Sequence, residues 1–169
     1  MKKLAKLTAL LLTGVMLLLL ASCGAAPNPL TPEQQARQEI FNAINEARQK
    51  AGKSTLQEVP ALTQLEQEFI ENFREAGTNG IPKSEADKLV EELYNKQKEA
   101  GWLLTGGITY SYYGSSVKLS RVYEGNTEAF RKYLSYFISV EDASTALSIG
   151  VVTIEGKIYW TATTLKPIT

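Results

Sequence analysis

The sequence predicts an α+β domain: a three-layer α-β-α sandwich with a mostly antiparallel central sheet and helices on both faces. Three observations predict it. Apolar stripes at helical spacing, bounded by capping residues, occupy the chain from Thr31 to Ala100. From Trp102 onward the composition turns to β-branched and aromatic residues, with one helical interruption from Glu128 to Ile138. The final pair of strands, around a tight turn at Glu155-Gly156, is apolar on both faces. Ile149 and Val151 point one way and Val152 and Ile154 the other, while Trp160 and Tyr159 oppose each other on the second strand. A hairpin with one wet face would alternate apolar and polar residues more cleanly. This one reads as the middle layer, covered by helices on each side.

The chain opens on an address. Lys2, Lys3 and Lys6 form a basic start, Leu7 to Leu20 is an apolar run, and Ala21 and Ser22 are small residues before Cys23. That order describes a secretory signal peptide, and the run is shorter than the roughly 20 residues a membrane span requires. The tetrapeptide Leu20-Ala21-Ser22-Cys23 resembles the bacterial lipobox. The resemblance implies cleavage before Cys23, diacylglycerol on its sulfur and a fatty acyl chain on the new amine. Residues 1–22 are then the signal peptide, 23–31 the lipidated Cys and a short tether, and 32–169 a single domain. Two or more acyl chains anchor a protein stably, since each buried methylene contributes about 0.8 kcal/mol. Gly24 follows the Cys where an inner-membrane retention signal would have Asp, so the resemblance points to the outer membrane in a Gram-negative host. The seven residues from Gly24 to Leu30 span at most about 25 Å. The domain therefore stays close to the membrane, facing outside the cytoplasm.

The first helix starts at Thr31, with Pro32 at its first position and Gln34 placed to complete a capping box, and Gly52 stops it. Its stripe is Ala36, Ile40, Ile44 and Ala47. The second follows Pro60 with Leu62, Leu65, Phe69 and Phe73, and ends at Gly77. Glu66, Glu68, Glu71 and Glu75 are assigned to its solvated face; the alternative is a carboxylate cluster for a cation. A third helix runs from a Ser84 cap, with Asp87 at N3, to Gly101. Residues 107–113 and 117–123 then read as a hairpin. Asn126 or Thr127 caps the fourth helix, whose inward residues are Phe130, Tyr133, Leu134 and Phe137. At the final turn Glu155 is a poor residue for positive φ. That favours a three-residue loop over residues 154–156, with Thr153 facing Lys157 and Gly150 opposite Trp160.

Two stretches resemble the CAP superfamily of cysteine-rich secretory, antigen-5 and pathogenesis-related proteins. Asn45-Glu46-Ala47-Arg48, then Gly52 and Leu56, fit its opening N-x-x-R-x-x-x-G-x-x-x-L helix. Ile149-Gly150-Val151 and Tyr159-Trp160-Thr161 resemble its closing strands. The resemblance implies a three-layer α-β-α fold. Its metal cleft, built on His and Glu, does not carry over. The chain has no His, and Gly106-Gly107-Ile108-Thr109 stands where the family has G-E-N-I.

Composition excludes further chemistry. With no His and one Cys, neither a Ser-His-Asp triad, a Cys-His pair nor a zinc site of the usual nitrogen and sulfur type can be built. No nucleotide-binding glycine motif and no EF-hand spacing occurs. The 18 basic residues balance 18 acidic ones, and losing the three leader lysines leaves a slightly acidic chain, which argues against nucleic acid. No catalytic, metal or cofactor residue is nominated, and Cys23 is the one site residue. Trp102, Trp160 and the tyrosines from Tyr110 to Tyr159 crowd the second half. They either pack the sheet against its helices or line a cleft for an apolar ligand.

The expected function is therefore a membrane-anchored envelope lipoprotein, with membrane lipid as partner through acylated Cys23. Its degenerate CAP-like domain would bind a lipid, cell-wall material or a protein without catalysis. The alternatives are a hydrolase working through carboxylates or a Ser-Lys pair, and an α+β lipoprotein unrelated to the CAP superfamily with an assembly role.

Overall fold

The computed structural model describes residues 29–108, 111–140 and 142–169. The leader, Cys23 and most of the tether lie outside the described residues. The first helix, α1 (Pro32–Lys50), begins as the sequence predicts. Gln34 N donates to Thr31 Oγ1 at 3.2 Å and Thr31 N donates to Gln34 Oε1 at 2.9 Å, a complete capping box. It ends in a Schellman motif, with Gly52 at φ 73° and Lys53 N donating to Arg48 O at 2.9 Å. The second, α2 (Pro60–Ala76), stops at Gly77.

The third helix, α3 (Lys83–Glu99), starts before its expected cap. Ser84 lies inside the first turn, Pro82 occupies the cap position without a side-chain bond, and Asp87 instead pairs with Lys83 at 2.6 Å. The fixed φ of Pro82 starts the helix in place of a hydroxyl. The fourth, α4 (Glu128–Ser139), is capped by Thr127, whose side chain accepts from Phe130 N.

Seven strands appear among the described residues: β1 (Gln57–Glu58), β2 (Ile81–Pro82), β3 (Trp102–Ile108), β4 (Ser111–Tyr113), β5 (Ser116–Lys118), β6 (Ala146–Ile154) and β7 (Lys157–Pro167). The main sheet has the order β1-β6-β7-β3 and a second sheet the order β2-β5-β4. The main sheet is mixed, because β1 runs parallel to β6 while β6–β7 and β3–β7 are antiparallel. The expected hairpin of 107–113 with 117–123 is corrected. Residues 102–108 pair instead with β7, and only Ser111–Tyr113 and Ser116–Lys118 form a hairpin, in the small sheet. At eleven residues β7 outruns the nine of β6, and its other edge needs a partner of its own.

The two faces of the main sheet meet different helices. Leu147, Ile149, Val151, Trp160 and Ala162 cluster with Ile40 and Ile44 of α1 and Phe130 and Phe137 of α4. Val152 and Ile154 cluster with Phe69, Ile70 and Phe73 of α2 and Leu93 of α3. The two-faced hairpin is thus covered on both sides, as its pattern implies. Its turn differs from expectation. Ile154 pairs with Lys157 and Gly150 with Thr161, leaving a two-residue turn with Glu155 at φ 49° and Gly156 at φ 77°. Both positive angles define a primed turn, whose twist matches the strands. Glu155 bears a left-handed cost of about 1 kcal/mol, and its carboxylate accepts a hydrogen bond from Thr78 Oγ1 at 3.0 Å.

Candidate functional site

On the face covered by α2 and α3, β6 and β7 present four cross-strand pairs in sequence: Ala146 with Leu165, Ser148 with Thr163, Gly150 with Thr161, and Val152 with Tyr159. The outer pairs are apolar and belong to separate clusters. The inner pairs form a polar belt between them. Gly150 brings α2 onto this belt, because a Cβ there would stand 2.5 Å from the carbonyl oxygen of Glu66. Without a side chain at 150 the helix backbone lies directly on the strand.

That contact places the Glu66 carboxyl in the belt with no solvent exposure. Thr163 Oγ1 donates to its Oε2 at 2.8 Å, and Ser148 Oγ lies 3.3 Å from the same oxygen. Ser148 and Thr163 hydroxyls are 2.6 Å apart, and Gln97 Nε2 of α3 donates to Thr163 Oγ1 at 3.2 Å. Three buried atoms of the belt have no hydrogen-bond partner: Glu66 Oε1, Gln97 Oε1 and Thr161 Oγ1. No Lys or Arg among the described residues pairs with Glu66. Burial pushes its pKa up to about 7, against the pull of the Thr163 and Ser148 hydroxyls. Burial, and after it the same carboxyl, raises the Tyr94 phenol.

Glu66 corrects the sequence reading, which put it on a solvated face with Glu68, Glu71 and Glu75. Glu68 and Glu75 are exposed and Glu71 half-buried, paired with Arg74 at 2.6 Å. Glu66 differs because it lies one turn after Leu62 and one turn before Ile70, in phase with the apolar stripe. That phase is the signal the sequence carried.

The residues of the N-x-x-R motif act structurally. Asn45 Oδ1 accepts from Leu56 N at 2.8 Å and its Nδ2 donates to Leu56 O at 3.0 Å. Arg48, with no exposure, donates to Phe137 O at 2.7 Å and Ser54 O at 2.8 Å, tying α1 to the end of α4. Of the tryptophans and tyrosines from Trp102 to Trp160 whose side chains are described, Tyr123 and Trp160 are buried, Trp102, Tyr133 and Tyr159 half-buried and Tyr136 exposed, while the side chains of Tyr110, Tyr112 and Tyr113 lie outside the described residues. Trp160 is buried against Phe130, Tyr133 and Phe137, with ring centroids 5.7, 5.8 and 6.3 Å away.

Beyond β1, the outer edge of β6 is met by side chains. Gln67 accepts from Val151 N at 3.0 Å and donates to Val151 O at 2.8 Å. Glu33 accepts from Thr153 N at 2.7 Å, and Arg74 donates to Thr153 O at 3.2 Å. These contacts substitute for a missing strand and blunt the edge. Outside them a groove of about 550 Å³ runs past Arg37, Glu58, Thr63 and Glu71. A second, of about 260 Å³, lies between α2 and α3 over Leu65, Phe69, Leu89 and Leu93. Among the described residues no group of three or more His, Cys, Asp or Glu is placed to hold a metal, and no helix is long and apolar enough to cross a membrane. No protein-family model, curated protein or solved structure matches the chain.

Proposed function

We propose that the chain is an envelope lipoprotein, anchored through acylated Cys23, whose CAP-like domain is a non-catalytic binding module held near the membrane. The observation that carries the reading is the Leu20-Ala21-Ser22-Cys23 tetrapeptide, followed within eight residues by the Thr31 cap of α1. A lipid anchor and a folded domain separated by so short a tether suit a protein that presents a surface to envelope components. The CAP-like part draws support from Asn45 and Arg48, whose hydrogen bonds to main-chain groups give the motif spacing a structural purpose. The binding part draws support from the two grooves flanking α2, one floored by aliphatic and aromatic side chains.

The hydrolase alternative would need an acid that a substrate can reach. Glu66 has the raised pKa of a general acid, yet it is sealed under α2 and α3. The anchor is tested in cells expressing the full chain and fed a radiolabelled fatty acid. Wild-type protein takes up label and sediments with membranes. Cys23→Ser loses both properties, and undiminished label in that variant overturns the reading.

A further inference from the structure

The belt around Glu66 encloses a carboxyl whose second oxygen no donor reaches. Ser148 and Gln97 can donate to Thr163 and Thr163 to Glu66 Oε2, with Ser148 also 3.3 Å from that oxygen. What remains is a carboxyl oxygen, an amide oxygen and the Thr161 hydroxyl, all buried and without partners. A buried acceptor without a donor is costly, and more so when it carries charge. A proton on the carboxyl removes that charge.

The surroundings favour the same state. From α3 the groups facing Glu66 are Gln97 and the neutral phenol of Tyr94; from β6, Ser148; from β7, Thr161 and Thr163. None is a cation. Lys96 of α3 is directed to Glu92 and Glu68 at the surface, 2.8 and 3.9 Å away. An ionised carboxylate sealed here would have no opposite charge.

We infer that Glu66 is a proton-operated latch. As the neutral acid it lets the belt close over no buried charge and keeps α2 and α3 on the sheet, and its ionisation releases that helix pair while α1 and α4 stay in place. The asymmetry follows from the architecture, since α1 and α4 pack on the opposite face around Trp160. The proton leaves to solvent as the pair opens, because the closed carboxyl is not exposed. This device is independent of the anchor and of any ligand.

The test uses the full chain in detergent. Infrared difference spectra between wild type and Glu66→Gln at about pH 5.5 should contain the carbonyl band of a protonated acid. Between about pH 5.5 and pH 8.5, amides of α2 and α3 should lose about tenfold or more of their exchange protection, beyond the intrinsic effect of pH on exchange. Amides of α1 and α4, which open only with the whole domain, should stay better protected than those of α2 and α3 across the range, and Glu66→Gln, which keeps a donor at that position, should hold its protection. Absence of the acid band, which a buried water beside an ionised Glu66 would produce, overturns the inference. So does an equal loss in Glu66→Gln, or no loss in wild type. If the variant does not fold, the wild-type spectrum across the same pH range and the contrast between the two helix pairs still decide it.

Discussion

Gly150 lies directly beneath the carbonyl of Glu66, with 2.5 Å between that oxygen and the point where a Cβ would sit. Both the carbonyl and the carboxyl of one glutamate are therefore positioned by a missing side chain on the sheet. Gly150→Ala must push α2 away or bend β6. Overpacking of this kind costs about 1–3 kcal/mol, and here it also lifts Glu66 off its hydroxyl partners. Chemical denaturation of the variant should give a lower midpoint. An unchanged midpoint would mean that the helix yields freely and the close approach is not structural.

The second prediction concerns pH. The folded pKa of Glu66 is raised from 4.5 to about 7. Between those values the folded state holds one more proton than the unfolded chain, so stability falls as pH rises through that window and levels off above it. The loss is about 3 kcal/mol, at about 1.4 kcal/mol per unit. Glu39 and Glu71 act oppositely. Hydrogen bonds from Gln35 and Tyr123 to the first, and from Arg74 and Gln67 to the second, hold their pKa values low. Their stabilisation disappears as pH drops below the ordinary carboxylate range. Melting temperature should therefore peak in mildly acidic solution, and Glu66→Gln should flatten the alkaline side alone.

Arg48 gives a third prediction. Its guanidinium is buried and its two best acceptors are main-chain carbonyls, Phe137 O and Ser54 O. Arg48→Met keeps much of the volume but leaves both carbonyls short of a donor. The expected cost is about 3 kcal/mol, with increased exchange at the end of α4. Arg48→Lys should recover only part of it, because one ammonium cannot reproduce the planar fork. Full recovery by Lys would show that charge, and not geometry, holds this corner.

Much of the fold was legible because its signals are local. Thr31 and Gln34, Gly52, Thr127 and the stripe of α4 each act within a turn of where they stand. The errors arose where a distant partner decided. The strands β1 and β2 have two residues each, too few for any period, and exist only because β6 and β5 accept them. Trp102–Ile108 was drawn to β7, a partner remote in sequence. Glu66 lies inside because its phase with Leu62 and Ile70 prevails over its charge. Propensity alone disfavours Glu155 at a positive φ, while Thr78, far along the chain, accommodates it.

The turn itself supplies a fourth prediction. Gly156 has φ 77° and open space around a would-be Cβ, so Gly156→Val tests conformation with no clash to confuse it. A β-branched residue in the left-handed region costs about 1–2 kcal/mol. The same substitution at Lys157, whose backbone is ordinary strand, should be nearly neutral. Equal melting temperatures for the two variants would contradict the primed turn.

The last prediction is that the domain neither binds zinc tightly nor hydrolyses protein or peptidoglycan. Tight zinc sites use imidazole or thiolate, and the chain has no His and its one Cys precedes the domain. Oxygen ligands alone hold transition metals weakly and with little selectivity. Several carboxylates are also engaged elsewhere: Glu33 and Glu71 with Arg74, Glu92 and Glu68 with Lys96, Asp142 with Lys53. The full chain, prepared without a His tag, can be titrated with zinc by calorimetry and assayed on casein and peptidoglycan with and without metal. Stoichiometric binding tighter than about a micromolar Kd, or −8.2 kcal/mol, would refute the metal half. Turnover that one Glu, Asp, Ser or Lys substitution abolishes, in a variant with an unchanged melting temperature, would refute the other half and favour the hydrolase. Glu66 is the first residue to substitute in that search, because ionisation near neutrality would make it an acid or base as soon as α2 and α3 part from the sheet.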